Sequence, residues 1–180
     1  MLFYHGSSTG GLTELRPHMS RHGKCWLYLT NLETVAAFYT VHCLERPAYL
    51  FPYGFNKKNE LFFTEYYPDA FADMYKGKSG FIYRCRDINP EPLEAISSYA
   101  SEKPVPVDSV TEIDDIYEWL LEKERQGLLQ IRRYDPLYQR KLDWVAGYIE
   151  DLKLLENPES HNARFFRERF PEIWQNHLKQ

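Results

Sequence analysis

Short apolar and aromatic runs fill the first part of the chain, whereas further on apolar residues recur at three- and four-residue steps. Leu2-Phe3-Tyr4 and Trp26-Leu27-Tyr28-Leu29 read as strands. So do Ala48-Tyr49-Leu50-Phe51, the run from Glu60 to Tyr66 and the run from Gly80 to Cys85, with Gly-, Asn- and Asp-bearing turns between them. Asn31 is a good N-cap for a helix beginning near Leu32, with Glu33 in its first turn. On that helix Val35, Ala36, Phe38, Tyr39 and His42 share a periodicity that places Tyr39 on a half-buried face with Val35 and His42. The stretch from Asp69 to Tyr75 predicts a short helix.

The later helices are announced by their caps. Thr111-Glu112-Ile113-Asp114 has the form of an N-terminal cap ahead of Ile116, Tyr117, Leu120 and Leu121, with Ile113 in the same repeat. A longer helix is expected over Leu137 to Glu156, with Leu142, Val145, Ile149 and Leu152 on one stripe. Asn157-Pro158 breaks it, the proline suiting a helical first turn, and a last helical segment carries Phe165, Phe166, Phe170, Ile173 and Trp174. The pattern implies an α+β protein: a strand-rich core over 1–110 and a helical region over 111–180 packed on it, one compact domain altogether. No repeat, low-complexity tract or linker interrupts it.

Composition narrows the function classes. With 43% hydrophobic and 16% aromatic residues, 180 residues suffice for a real core. A formal net charge of −4 argues against a general electrostatic footprint for nucleic acid. No segment has the length and apolarity of a membrane span or of a secretory leader, so no membrane is expected and a cytoplasmic location is the default. Cys25, Cys43 and Cys85 are odd in number and lack paired spacing, and they read as free thiols in or near the core. His18 and His22 stand at i, i+4, but Pro17 and Gly23 bracket a loop, and no His-Glu pattern accompanies them. No metal is expected.

The candidate chemistry lies near the N-terminus. His5 puts an imidazole at a strand end, and Gly6, without a Cβ, lets a ligand approach the backbone; Ser7, Ser8, Thr9, Gly10 and Gly11 follow as a loop. With Tyr28 on the second run and Tyr39 on the helix after it, two tyrosines and a histidine are expected at one cleft.

His5-Gly6-Ser7, followed by Tyr28 and, after ten intervening residues, Tyr39, resembles the ADP-ribosyltransferase superfamily. The likeness is to its His-Tyr-Glu branch, which includes diphtheria toxin and the poly(ADP-ribose) polymerases. The resemblance implies a split antiparallel β-sheet core with flanking helices, and NAD as the substrate. It also implies that His5 hydrogen-bonds the nicotinamide-side ribose, that Gly6 holds the carboxamide, and that Tyr28 and Tyr39 sandwich the nicotinamide ring. The branch has a third motif, a glutamate at the start of a later strand, which would bind the ribose hydroxyl and stabilise the oxocarbenium-like transition state. Glu102, in Ser101-Glu102-Lys103-Pro104-Val105-Pro106-Val107, is the candidate; its two prolines require an edge or irregular strand. Glu65 is the rival, Glu60 and Glu94 lesser ones, and a solvated turn carboxylate is the competing reading of Glu102. Arg16 and Arg21, in the loop between the first two strands, would lie near the pyrophosphate, or else form a solvated basic loop.

The chemistry accounts for those residue types. Cleaving the glycosidic bond of NAD leaves positive charge on the ribose, which a fixed carboxylate stabilises most in the transition state. Flat rings hold the nicotinamide in line, and the histidine orients more than it transfers protons. The expected function is therefore a mono-ADP-ribosyltransferase, catalysed by Glu102 and His5, acting on an unknown protein or nucleic-acid acceptor. The alternative is a non-catalytic protein of the same fold, binding a ligand or a partner protein. The related RNA 2′-phosphotransferase branch uses several basic pocket residues where this chain has Tyr4 and Tyr28.

Overall fold

A computed structural model describes residues 1–19, 23–41, 52–139 and 143–179. The expected strand at 48–51 and the residues His22, Arg21, His42, Cys43 and Leu142 lie outside the described residues.

The first aromatic run becomes β1 (Leu2–Ser7), which carries His5, Gly6 and Ser7 inside the strand rather than beyond it. Six residues of β1 pair antiparallel with β7 (Gly80–Arg86), from Leu2↔Arg86 to Ser7↔Phe81. On its other side β1 meets β4 (Cys25–Thr30) at one register position, Tyr4↔Thr30. β4 continues along β9 (Ser98–Ser101), and its far end is flanked by β3 (His18–Met19), at His18↔Trp26. β11 (Ser109–Ile113) and β8 (Glu91–Pro92) complete an antiparallel sheet in the order β11-β7-β1-β4-β9-β8, with β3 beside β4. The fold is mixed α+β with an antiparallel sheet, as the pattern predicts.

Alternation along the strands gives the sheet two dissimilar faces. Phe3, Leu27, Leu29, Tyr83 and Cys85 build a small core with Leu15 and Val105. These last two come from the paired pieces β2 (Glu14–Leu15) and β10 (Val105–Pro106), so the proline-bearing segment after Glu102 forms only a two-residue ladder. Within that core, burial pushes the Cys85 thiol up to about 11. The buried Tyr83 donates its hydroxyl to Thr9 O at 2.8 Å and accepts from Leu12 N–H at 3.2 Å, pinning the loop that follows β1.

The opposite face carries α1 (Glu33–Phe38) and the larger core. That core joins Val35, Ala36 and Phe38 to Phe63 on β6 (Leu61–Thr64), Phe71 on α2 (Ala70–Tyr75) and Leu120 on α3 (Ile116–Arg125). It also takes in Val145 and Ile149 on α5 (Asp143–Asp151), Phe166 on α6 (His161–Arg169) and Trp174 on α7 (Pro171–His177). The helical region therefore shares its core with the strand-rich part. β6 pairs with β5 (Tyr53–Phe55) and, in parallel, with β12 (Gln130–Arg132), a short strand with no signal in the hydrophobic pattern.

Several expected boundaries move, each for a local reason. The helix after β4 is capped not by Asn31 but by Leu32 in extended backbone, while the Thr30 hydroxyl accepts Leu32 N–H at 3.1 Å. Thr111 does not start a helix: it pairs with Ile82 as part of β11, and Asp115 caps α3 by accepting from Tyr117 and Glu118 N–H. Of the expected long helix over Leu137 to Glu156, the described residues carry α4 (Pro136–Gln139) and α5, and α5 stops at Asp151 rather than reaching Glu156. There Lys153 takes φ 49°, while Leu154 N–H returns to Ile149 O and Lys153 N–H to Glu150 O. This is a Schellman ending without the usual glycine, so no residue signals it. Leu152 is consequently exposed and Leu154 buried. Ser160, not Pro158, opens the next helix, and it is Pro171 that sits in a helical first turn.

α1 is seated by the absence of side chains beneath it. A Cβ on Gly6 would lie 1.9 Å from Ala36 O, and one on Gly80 2.5 Å from Thr40 Cβ. An ion-pair cluster holds its first turn: Glu33 accepts from Arg84 Nη2 at 2.6 Å and from Lys123 Nζ at 3.3 Å. Burial alone raises the Glu33 carboxyl pKa, but the two cations outweigh it and hold the group below its ordinary value.

Gly6→Ala is expected to lose about 3 kcal/mol or more by urea denaturation. The control Gly147→Ala, in the interior of α5 with open space at its Cβ, should instead gain up to about 1 kcal/mol. Equal stabilities of the two variants would contradict the close seating of α1. Glu33→Gln should cost about 1–2 kcal/mol at neutral pH. Because the folded pKa is depressed, that loss should fade as pH falls through the folded value, which urea titrations across the acid range would read.

Candidate functional site

The pairing of β1 with β4 stops at Tyr4↔Thr30, and a side chain spans the gap that follows. His5 Nδ1 lies 2.9 Å from Tyr28 O. A carbonyl only accepts, so Nδ1 carries the proton, and in the neutral ring Nε2 keeps its lone pair. Burial pushes the His5 pKa below the ordinary imidazole value, overcoming the raising effect of the Tyr28 carbonyl, and His18 lowers it further. The result is a neutral imidazole of fixed tautomer between two strands that have parted.

Tyr28 lies one strand over, half-buried, with its ring edge-on to Trp26 at 6.0 Å between centroids. The β4–β9 register runs Tyr28↔Ala100 and Leu27↔Ser101. One step on it brings Glu102 beside Trp26, whose indole Nε1–H donates to Glu102 Oε1 at 3.4 Å. Tyr28 is thus joined to His5 of β1 through its carbonyl and, by way of Trp26, to Glu102 in the turn after β9. Glu102 itself is exposed, in the turn that ends β9.

The other predicted residues are placed differently. Gly6 adjoins His5, but α1 fills the space its missing Cβ leaves, so the glycine serves helix seating rather than ligand approach. Ser7 Oγ accepts Thr9 N–H at 3.0 Å and shapes the loop. Tyr39 is the C-cap of α1 and 43% exposed, not half-buried with Val35; Phe38 takes the buried position. The Tyr39 hydroxyl lies 2.7 Å from that of Tyr53 on β5, and the two rings meet edge-on, while Tyr28 faces Trp26.

The rival glutamates have other work. Both Glu65 oxygens accept backbone N–H groups, from Phe71 at 3.1 Å and Tyr134 at 3.0 Å, joining α2 to the segment after β12. Glu60 takes the Asn56 side chain at 2.7 Å, and Glu94 lies exposed in the turn between β8 and β9. Arg16 is 79% exposed and paired with Glu14. Cys25 and Cys85 are free thiols, the first exposed and the second buried. Among the described residues no cluster of three or more His, Cys, Asp or Glu could hold a metal, and no helix is long and apolar enough to cross a membrane.

Trp26 and Lys24 are the neighbours that the motif reading passed over. Lys24 Nζ stands 4.2 Å from the Trp26 ring centroid, on the indole face. Their relevance depends on cross-strand register, since Trp26 and Glu102 are 76 residues apart. Compared with family models, with curated proteins and with solved structures, the chain finds no match in any of the three.

The half-buried His5, its pKa lowered, makes a pH prediction. Below about pH 6.5 the unfolded chain binds a proton here that the folded protein resists, so this residue's contribution is full at higher pH and is lost as pH falls through the folded value. His5→Asn keeps a donor for the Tyr28 carbonyl but does not titrate. The stability of the parent relative to this variant should therefore shrink on going from about pH 7.5 to pH 5 in thermal melts. A constant difference would mean that His5 is not held neutral.

Proposed function

We propose that the chain is an NAD-dependent mono-ADP-ribosyltransferase of the His-Tyr-Glu kind, whose site is the parting of β1 and β4. In this reading the sheet is the split sheet of that superfamily. The observation that carries it is the His5 Nδ1–H bond to the Tyr28 carbonyl across the gap, at 2.9 Å, which leaves Nε2 as an acceptor for a ribose hydroxyl. The motif His-Gly-Ser and the Tyr28 to Tyr39 spacing support the same reading.

The reaction follows from the residues. NAD lies with its nicotinamide against Tyr28, and Tyr39 closes over the ring after turning from Tyr53. The bond between C1′ and the nicotinamide nitrogen breaks, its electron pair leaves with neutral nicotinamide, and the ribose becomes oxocarbenium-like. Glu102 stabilises that charge through the ribose hydroxyl. An acceptor nucleophile, or water, then bonds to C1′ and gives up its proton. The acceptor is a protein or nucleic-acid group.

A non-catalytic NAD-binding protein of the same fold is the second reading, favoured by the exposed position of Glu102 on a turn. Nicotinamide release from NAD separates the two. In the first reading the purified chain releases nicotinamide, Glu102→Gln lowers turnover on the order of 100-fold while NAD still binds, and Tyr28→Ala weakens binding with the fold intact. Binding without release, by calorimetry, assigns the second reading. Neither binding nor release overturns both.

A further inference from the structure

We propose that Trp26 is the positioning residue for Glu102, an inference that rests on the NAD reading of this site. The carboxylate is otherwise poorly held. It belongs to a turn that follows β9 and is exposed to solvent, where a free glutamate samples many rotamers and offers no fixed charge to a transition state. Its described hydrogen bond is the one from Trp26 Nε1–H at 3.4 Å. The indole is in turn restrained from three directions. It belongs to a strand paired on both sides at this end, by His18↔Trp26 and Leu27↔Ser101. Its edge contact with Tyr28 joins it to the ring proposed to carry nicotinamide, and Lys24 Nζ covers its face at 4.2 Å.

An indole N–H is suited to this work. It donates one hydrogen bond in one direction and never accepts, so it orients one carboxylate oxygen while leaving the other for a ribose hydroxyl. It also carries no charge, so it does not neutralise the carboxylate whose charge the oxocarbenium-like ribose requires. The covalent step is unchanged: C1′ loses nicotinamide with its bonding pair and gains the acceptor oxygen or nitrogen, whose proton leaves.

Trp26→Phe is the test, since it keeps an aromatic face for Lys24 and an edge for Tyr28 and removes the donor. The expected result is about a tenfold or larger fall in kcat for nicotinamide release, with KM for NAD and the melting temperature little changed. In a Glu102→Gln background the same substitution should have almost no further effect. An equal fall in both backgrounds, or a rise in KM with kcat unchanged, would overturn the proposal. A second measurement is independent of turnover. The indole N–H resonance that Trp26→Phe removes should shift in Glu102→Gln, and an unmoved resonance overturns the pairing. If the unmodified chain releases no nicotinamide although that resonance does shift, the pairing stands and the transferase reading is what fails.

Discussion

The close approach of α1 to the sheet is the constraint on which the rest of the structure depends. Its last turn lies over Gly6 of β1 and beside Gly80 of the neighbouring β7, where a side chain would run into Ala36 O or Thr40. Seated there, the helix buries Val35, Ala36, Ala37 and Phe38. Phe38 then stacks on Tyr53 at 5.1 Å and leads into the aromatic core that α2, α3 and the C-terminal helices share. Glu33 fixes the other end of α1 through Arg84 on β7 and Lys123 on α3. The packing and the ion pairs work on opposite ends, which sets both the position of the helix and its direction.

The same seating shapes the site. β1 is held along its whole length by β7 and pressed on one face by α1, while on its other edge β4 departs after Tyr4↔Thr30 to pair with β9 and β3. The parting exposes strand polar groups, and an unpaired buried carbonyl is costly. His5 answers the carbonyl of Tyr28, which fixes its tautomer, while desolvation lowers its pKa. The structural need and the proposed chemistry use different nitrogens of one ring. Tyr39, at the end of α1, is the residue whose place is least determined by this arrangement, since its partner Tyr53 belongs to another sheet.

Much of this was legible in one dimension. β1, β4, β6 and β7 appear as apolar runs, and α1 and α3 as periodic segments, because burial of one face imposes a period that survives in any tertiary setting. The misses are places where a local rule was outbid by a partner. Thr111 has the form of a cap, yet β7 offers it a ladder. Asn31 is a better cap than Leu32, yet Thr30 already satisfies the Leu32 amide. α5 ends on a left-handed lysine that no composition rule anticipates. Glu65, in the more convincing strand run, lies one residue beyond β6, and both its oxygens are spent on backbone amides.

By itself the sequence determined the α+β class, the order of the main elements and the residue types near His5, since strand and helix periods, glycines and aromatic runs are local properties. It also carried the His5-Gly6-Ser7 and Tyr28 to Tyr39 spacings. Only the tertiary structure decided that β1 and β4 part, that Gly6 serves α1, that Tyr39 turns to Tyr53, and that Glu102 meets Trp26. Those are facts of register and of contact between segments tens of residues apart. A chain records its own periodicity in its residues, but which strand lies beside which is settled by the competition among all of them for the same buried faces.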